Sequence, residues 1–320
     1  MLEHGGRLRK ASKKYGIPVD SWLDLSTGIN PRGYPVPSIP VESWHRLPED
    51  GDGLEEAAIT HYGTKDILPI CGSQAAIQCL PRLREHSRVG VLFPGYMEHE
   101  HAWKISGHKV SRMVKVEENG FDVILLSNPN NPTGEKFPKE RLREIHENLS
   151  VKGGWLVVDE AFIEGSNAES LISSEMPEGL IVLRSFGKFF GLPGARVGFV
   201  AANERILSPL RDLLGPWTIP GPSRIVATKA LEDEAWQSET RTEMALQGKR
   251  LECLLLNSGL PSEGCWLFRF VRMENAKDLH ECLASKGIFT RLLGEGLRFG
   301  LPGNEDEWDR LEKALIEVRS

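Results

Sequence analysis

The chain has 320 residues, 39 Lys and Arg against 45 Asp and Glu, a net charge of −6, and 40% hydrophobic residues. That is ordinary globular composition, enough for one or two domains with a buried core. The acidic balance does not favour nucleic acid or an anionic membrane surface as partner, and no stretch approaches a transmembrane run or an apolar signal core. With five cysteines and no CxxC pair, reduced thiols and a cytoplasmic location are expected, with no metal site.

In chain order, residues 1–45 predict a short amphipathic helix and then a Pro-rich extended arm from Asn30 to Pro40. The basic cluster Arg7, Arg9, Lys10, Lys13 and Lys14 reads as a solvated helix face. Ile67-Leu68-Pro69-Ile70 predicts a strand that runs through Cys71-Gly72-Ser73-Gln74 into a helix. Free N–H groups at that helix start make an anion site, although a plain capped helix explains the segment equally well. Further strands are expected at Val89–Phe93, Val123–Leu126, Leu156–Val158, Ile181–Leu183 and Val197–Ala201. Their alternation with helical patterns predicts an α/β fold, a mainly parallel sheet covered by helices on both faces. Helices follow at Glu204–Leu214, Ser223–Glu232 and Trp236–Asn257. The last segment reads strand, helix, strand, strand, helix: Trp266–Val271, Ala276–Lys286, Ile288–Arg291, Gly296–Gly300 and Glu305–Val318. The expected organisation is an N-terminal arm (1–45) joining a small domain, a large domain (46–222), and a small α/β domain with connecting helices (223–320).

Lys188 carries the strongest chemical signal. Ser185 precedes it by three residues, a Gly-rich turn follows, and Arg196 stands eight residues beyond. An amine held among cations and apolar groups has a lowered pKa and can form a Schiff base, while Ser185 and Arg196 suit a phosphate. By itself the stretch could be a surface lysine in a loop. A Walker loop is excluded, since Val182 stands where its first glycine belongs and Phe189 replaces its Ser/Thr. Two more segments join it. Val157-Val158-Asp159-Glu160-Ala161-Phe162 places carboxylates at the end of an apolar strand, where open α/β sheets put ligands. Ser127-Asn128-Pro129-Asn130-Asn131-Pro132-Thr133-Gly134 reads as a dense turn after a strand.

Taken together with the Gly72 segment, these four motifs resemble, in order, those of the fold-type I pyridoxal-phosphate (PLP) enzymes of the class I/II aminotransferase group. The resemblance implies a large domain with a mainly parallel sheet plus a small α/β domain, and active sites at a dimer interface. It implies PLP held covalently by Lys188, with its ring nitrogen kept protonated by Asp159 and its phenolate oxygen bonded by Asn131. Its ring would be stacked by Tyr96, and its phosphate held by Gly72, Ser73, Gln74, Ser185 and Arg196.

Flanking segments narrow the resemblance. His4-Gly5-Gly6, Trp22-Leu23-Asp24-Leu25-Ser26-Thr27-Gly28-Ile29-Asn30-Pro31, Trp44-His45-Arg46-Leu47-Pro48, Gly287-Ile288-Phe289-Thr290-Arg291 and Gly296-Leu297-Arg298-Phe299-Gly300 are similar to the threonine-phosphate decarboxylases of aerobic cobalamin biosynthesis. That family converts L-threonine O-3-phosphate to (R)-1-amino-2-propanol O-2-phosphate. The resemblance implies Arg298 for the substrate carboxylate, Arg291, His4, Gly5 and Gly6 for its phosphate, and Gly28 and Asn30 lining the pocket. Two alternatives stand beside it: an aminotransferase of histidinol-phosphate type, and a non-catalytic partner of the cobinamide-phosphate synthase. Phe162 replaces a tyrosine of many aminotransferases, Gly187 a frequent hydroxyl, and Leu47-Pro48 the Tyr-Pro of the histidinol-phosphate enzymes. Only six residues separate Arg291 from Arg298, which questions their joint use on one substrate.

Overall fold

The structure is a computed structural model that describes residues 2–117, 120–294 and 296–319. The chain divides into two compact units. The first comprises residues 1–32, 132–135 and 239–320, and the second 33–131 and 136–238.

The chain enters through helix α1 (Leu8–Tyr15) and the short strand β1 (Leu23–Leu25). Residues 30–40 form neither helix nor strand, as the prolines predict. Helices α2 (Glu42–His45) and α3 (Leu54–Tyr62) follow in the second unit. Its sheet contains β2 (Ile67–Ile70), β3 (Arg88–Leu92), β4 (Lys109–Met113), β5 (Val123–Ser127), β6 (Trp155–Asp159), β7 (Leu180–Ser185) and β8 (Gly198–Ala201), in the order β2-β8-β7-β6-β5-β3-β4. The central strands β5, β6 and β7 are continuous apolar runs because both faces are covered. Leu125, Val157 and Leu183 enter one apolar cluster; Ile124, Leu126, Leu156, Val158 and Val182 enter the other. This is the two-residue period of a strand read on two buried faces.

Two details depart from the sequence pattern. The last strand expected in this run, now β8, is antiparallel to both β7 and β2, so the sheet is mixed. Apolar runs report burial, which is the same in either direction. The edge strand β4 was not singled out, because its residues Lys109, Ser111 and Arg112 are mostly exposed and carry no apolar run.

Helices α4 (Ser73–Cys79), α5 (Met97–Ile105), α6 (Lys139–Ser150), α7 (Phe186–Phe189), α8 (Glu204–Leu214) and α9 (Gly221–Glu232) complete this unit. Arg224 of α9 donates from Nε to Asp52 at 2.7 Å and from Nη2 to both Glu55 oxygens at 2.8 Å, which anchors α9 at the start of α3. Trp236 at the head of α10 (Glu234–Asn257) stacks on Phe190 at 5.7 Å. The second unit therefore extends to Ser238.

The first unit carries a five-stranded sheet, β1-β11-β12-β10-β9, built from β9 (Glu263–Cys265), β10 (Phe268–Arg272), β11 (Ile288–Leu293), β12 (Gly296–Gly300) and β1, with α11 (Ala276–Ser285) and α12 (Glu305–Arg319). The single strand expected over Trp266–Val271 begins at Phe268, because a turn at Trp266-Leu267 pairs β9 with β10. β1 lies parallel to β11, which brings the N-terminal segment into this sheet. No described helix is long and apolar enough to cross a membrane.

Candidate active site

In the second unit, β5, β6 and β7 run parallel; Ser127 and Asp159 end in register, and β7 continues to Ser185, two residues past Leu183, the partner of Asp159. Parallel pairing is what aligns these ends, and an open sheet of this kind offers its C-terminal edge to ligands. Asp159 is 5% exposed. Its Oδ1 accepts from the Ala161 N–H at 3.0 Å, and its Oδ2 lies 2.8 Å from His99 Nε2, itself 2% exposed. A buried carboxylate with two such partners is directed rather than solvated. His99 was not among the expected residues. It sits one helical turn after Tyr96, with its ring edge-on to the tyrosine at 5.8 Å, and that spacing was the available signal.

Gly72 precedes α4 with φ +73, a conformation that favours glycine. A Cβ there would lie 2.7 Å from Arg196 Nη2, so the absent side chain is also what lets the guanidinium approach. Gly198 of β8 is likewise required, since its Cβ would stand 2.6 Å from the Ser73 nitrogen. The Gly72-Ser73 turn, the start of β8 and Arg196 thus close around one another with backbone N–H groups and a guanidinium, donors suited to a phosphate. The Gln74 side chain is spoken for: Nε2 donates to the buried Glu98 at 2.9 Å, and Oε1 accepts from the Tyr96 hydroxyl at 3.4 Å. Glu98 was also missed, since nothing local distinguishes it from a helix-start glutamate.

Ser185 caps the end of β7, and Lys188 follows on the single turn of α7. Both are half-buried, and the Lys188 amine lies 5.5 Å from the centre of the Phe162 ring. Asn131 is half-buried in the loop after β5, which is braced by Asn128 (Oδ1 accepting from Phe137 N at 3.0 Å) and by Asn130 (Nδ2 donating to Pro94 O at 2.9 Å).

Next to Asp159 lies a different kind of cluster. Arg184, buried, donates to Glu160 at 3.1 Å and also to Glu164, which lies 3.6 Å from His61. Burial alone would raise the Glu164 carboxyl, but Arg184 and then His61 hold it down at about 2. Burial pushes Glu160 up and Tyr62 up as well. Here the arginine is answered by carboxylates of the protein itself, an arrangement of structural rather than ligand-binding character.

The anion-binding residues expected near the termini come together within the first unit. Arg291 and Arg298 are directly opposed across the antiparallel pair β11–β12, so their side chains share one face of the sheet. The short separation that questioned their joint use is simply a tight hairpin. Arg298 is 7% exposed, donates from Nη2 to the Ser26 carbonyl at 3.2 Å and lies 4.9 Å from the Phe268 ring centre. Arg291 donates to the Glu3 carbonyl, next to His4. His4 is half-buried. Gly5 lies so close to the strand that a Cβ would be 2.3 Å from Ser26 O, and the Gly6 N–H donates to Ser26 Oγ at 2.8 Å. Gly28 is buried. So is Asn30, whose Oδ1 accepts from Arg32 N at 3.0 Å. Among the described residues no group of three or more His, Cys, Asp and Glu is arranged to hold a metal.

Residues 51–291 match the family described as aminotransferase class I and II. The chain belongs to that family. Among the family members it resembles, a Pseudomonas aeruginosa protein named threonine-phosphate decarboxylase is 49% identical over 99% of this chain and 98% of its own length. A Sinorhizobium protein of the same name is 36% identical over 99% of this chain and 98% of its own length. The fold is that of the Sinorhizobium meliloti histidinol-phosphate aminotransferase solved with pyridoxal-5'-phosphate, with a TM-score of 0.82, 19% identity, and coverage of 99% of this chain and 98% of that one.

Proposed function

We propose that this class I/II aminotransferase-family chain is a PLP-dependent decarboxylase of L-threonine O-3-phosphate. The carrying observation is the near-complete alignment, at 49% and 36% identity, with two proteins named threonine-phosphate decarboxylase. The likeness to the solved histidinol-phosphate aminotransferase, at 19% identity, speaks to the fold alone.

The second unit supplies the residues that fit the cofactor. PLP, when bound, accepts the electron pair that the breaking Cα–carboxylate bond leaves behind. Asp159, buried and directed by His99 and the Ala161 N–H, holds a proton at the cofactor's ring nitrogen. Lys188 anchors the cofactor and serves as the acid that delivers a proton to Cα once CO2 has left. The Gly72-Ser73 turn, Ser185 and Arg196 hold the phosphate, Gln74 contributes its backbone there, Tyr96 stacks on the ring, and Asn131 donates to its oxygen. Phe162 offers no hydroxyl, which leaves that oxygen to Asn131.

The substrate carries two anionic groups, and the first unit offers two arginines on one sheet face. Arg298 takes the carboxylate with a planar fork that fixes its direction, and direction is what selects the bond that breaks. Arg291 with His4, Gly5 and Gly6 takes the phosphate, and Gly28 and Asn30 line the space between. The product is (R)-1-amino-2-propanol O-2-phosphate, the linker of the cobalamin nucleotide loop. The protein works as a homodimer. Supporting this, Val36, Val41, Trp44 and Leu47 are each more than half exposed within one short stretch of the second unit.

One assay tests the reaction. The purified protein, loaded with PLP, is given L-threonine O-3-phosphate without a keto acid, and CO2 and aminopropanol phosphate are measured. Turnover is expected. Turnover that requires 2-oxoglutarate would assign transamination instead, and none under either condition would leave a partner role.

A further inference from the structure

Ser26 stands at the crossing of the expected substrate residues, within the segment Trp22–Pro31 but with no role assigned to it there. Its side chain is fully buried just after β1. Its hydroxyl accepts from the Gly6 N–H at 2.8 Å and donates to Asp24 Oδ1 at 2.5 Å. Asp24 Oδ1 also accepts from the Ser26 N–H at 2.9 Å. Because that oxygen can only accept, it directs the hydroxyl proton toward itself and turns a lone pair toward Gly6. The Ser26 carbonyl, on the other side, accepts from Arg298 Nη2 at 3.2 Å. One residue therefore touches both the N-terminal segment and Arg298 of β12, which lies 272 positions from Ser26 along the chain. Gly5 makes the close approach possible, since any side chain would strike the Ser26 carbonyl.

We propose that Ser26 is a positioning residue. Through its hydroxyl it latches the His4–Gly6 segment beside the strand that carries Arg298, and so sets the preference for a phosphorylated over an unphosphorylated amino acid. This rests on the assignment of the substrate phosphate to Arg291 and the His4–Gly6 segment. Terminal segments are mobile unless tied down, and an ordered donor set binds an anion without first losing chain entropy. Asp24 acts behind Ser26 by fixing the hydroxyl's orientation.

Two readouts test it on the PLP-loaded enzyme. Amide exchange at Gly6 reads the latch without any substrate, and Ser26→Ala should speed it. In the same variant KM for L-threonine O-3-phosphate should rise about tenfold, as expected for loss of one ordering hydrogen bond at an anion site. The inhibition constant of L-threonine, which has the carboxylate but no phosphate, should rise much less. Asp24→Ala should act in the same direction, and Asp24→Asn, which keeps an acceptor at Oδ1, should restore most of the wild-type behaviour. The Asp24 pair also carries the test if Ser26→Ala does not fold. Unchanged Gly6 exchange in Ser26→Ala and Asp24→Ala overturns the latch. Faster exchange with equal losses for both compounds overturns the selectivity role. If the wild type does not decarboxylate threonine phosphate at all, the reaction assignment fails instead, and Gly6 exchange still judges the latch.

Discussion

The two units each bury an arginine, and the two sites differ in what answers the charge. In the second unit Arg184 is met by Glu160 and Glu164, with His61 behind them, so the charge is balanced inside the protein. In the first unit Arg298 lies on the same sheet face as Arg291, with a carbonyl and an aromatic ring among its contacts. Two like charges side by side cost energy that an incoming anion relieves. A buried arginine is thus read by its surroundings: carboxylates of the chain mark a brace at Arg184, while for Arg298 the proposed partner is the substrate carboxylate. On the proposed assignment the same contrast separates cofactor chemistry, placed on strand ends, from substrate selection, placed on a hairpin and the N-terminal segment.

If that division is right, changes in the second unit affect every substrate and changes in the first discriminate among them. The largest effect is expected from Lys188→Ala, which should abolish turnover of any amino acid while the fold, followed by circular dichroism, persists. Borohydride reduction and peptide mapping of the wild type should label Lys188; a label on another lysine breaks the assignment. Asp159→Ala should lower turnover by orders of magnitude without unfolding the protein.

Next comes the brace. Arg184→Met removes the cation shared by two buried carboxylates and should cost about 3–5 kcal/mol in denaturant unfolding. The same cluster predicts an acid dependence. Glu164 is held at about 2 against an ordinary value of 4.5, so it stabilises the fold fully above 4.5 and loses that contribution as pH falls toward 2. Glu164→Gln should therefore be roughly 3 kcal/mol less stable than wild type at pH 7. The gap should narrow when both are measured near pH 3.

The smallest effects sharpen the contrast most. Arg298→Ala should impair every amino-acid ligand, whereas Arg291→Ala should weaken threonine phosphate about tenfold or more and threonine far less. Equal losses for both compounds in Arg291→Ala would remove the phosphate assignment and leave Arg291 as part of the arm's anchorage to Glu3.

Legibility followed the range of the interactions. The segment from Gly72 to Gln74, Asp159 at the end of its strand, and Ser185 to Arg196 are local strand–turn–helix devices, each written within a dozen residues. The apolar runs of β5, β6 and β7 announced a buried sheet, but burial says nothing of strand direction, so the antiparallel β8 was not legible. Glu98 has no mark of its own and His99 only its spacing from Tyr96, because what distinguishes them is a partner on another element: Gln74 for one, Asp159 for the other.

By itself the sequence determined the family and the alternating architecture and singled out Lys188 as the candidate cofactor lysine, since these depend on residue type at short spacing. Tertiary structure alone decided that Arg291 and Arg298 face each other, that Arg184 is neutralised and that Ser26 joins the arm to β12. Those facts depend on register, burial and contacts between elements, which pair Arg184 with Glu160 across 24 positions and Ser26 with Arg298 across 272, and there the identity of a residue does not reveal its neighbour.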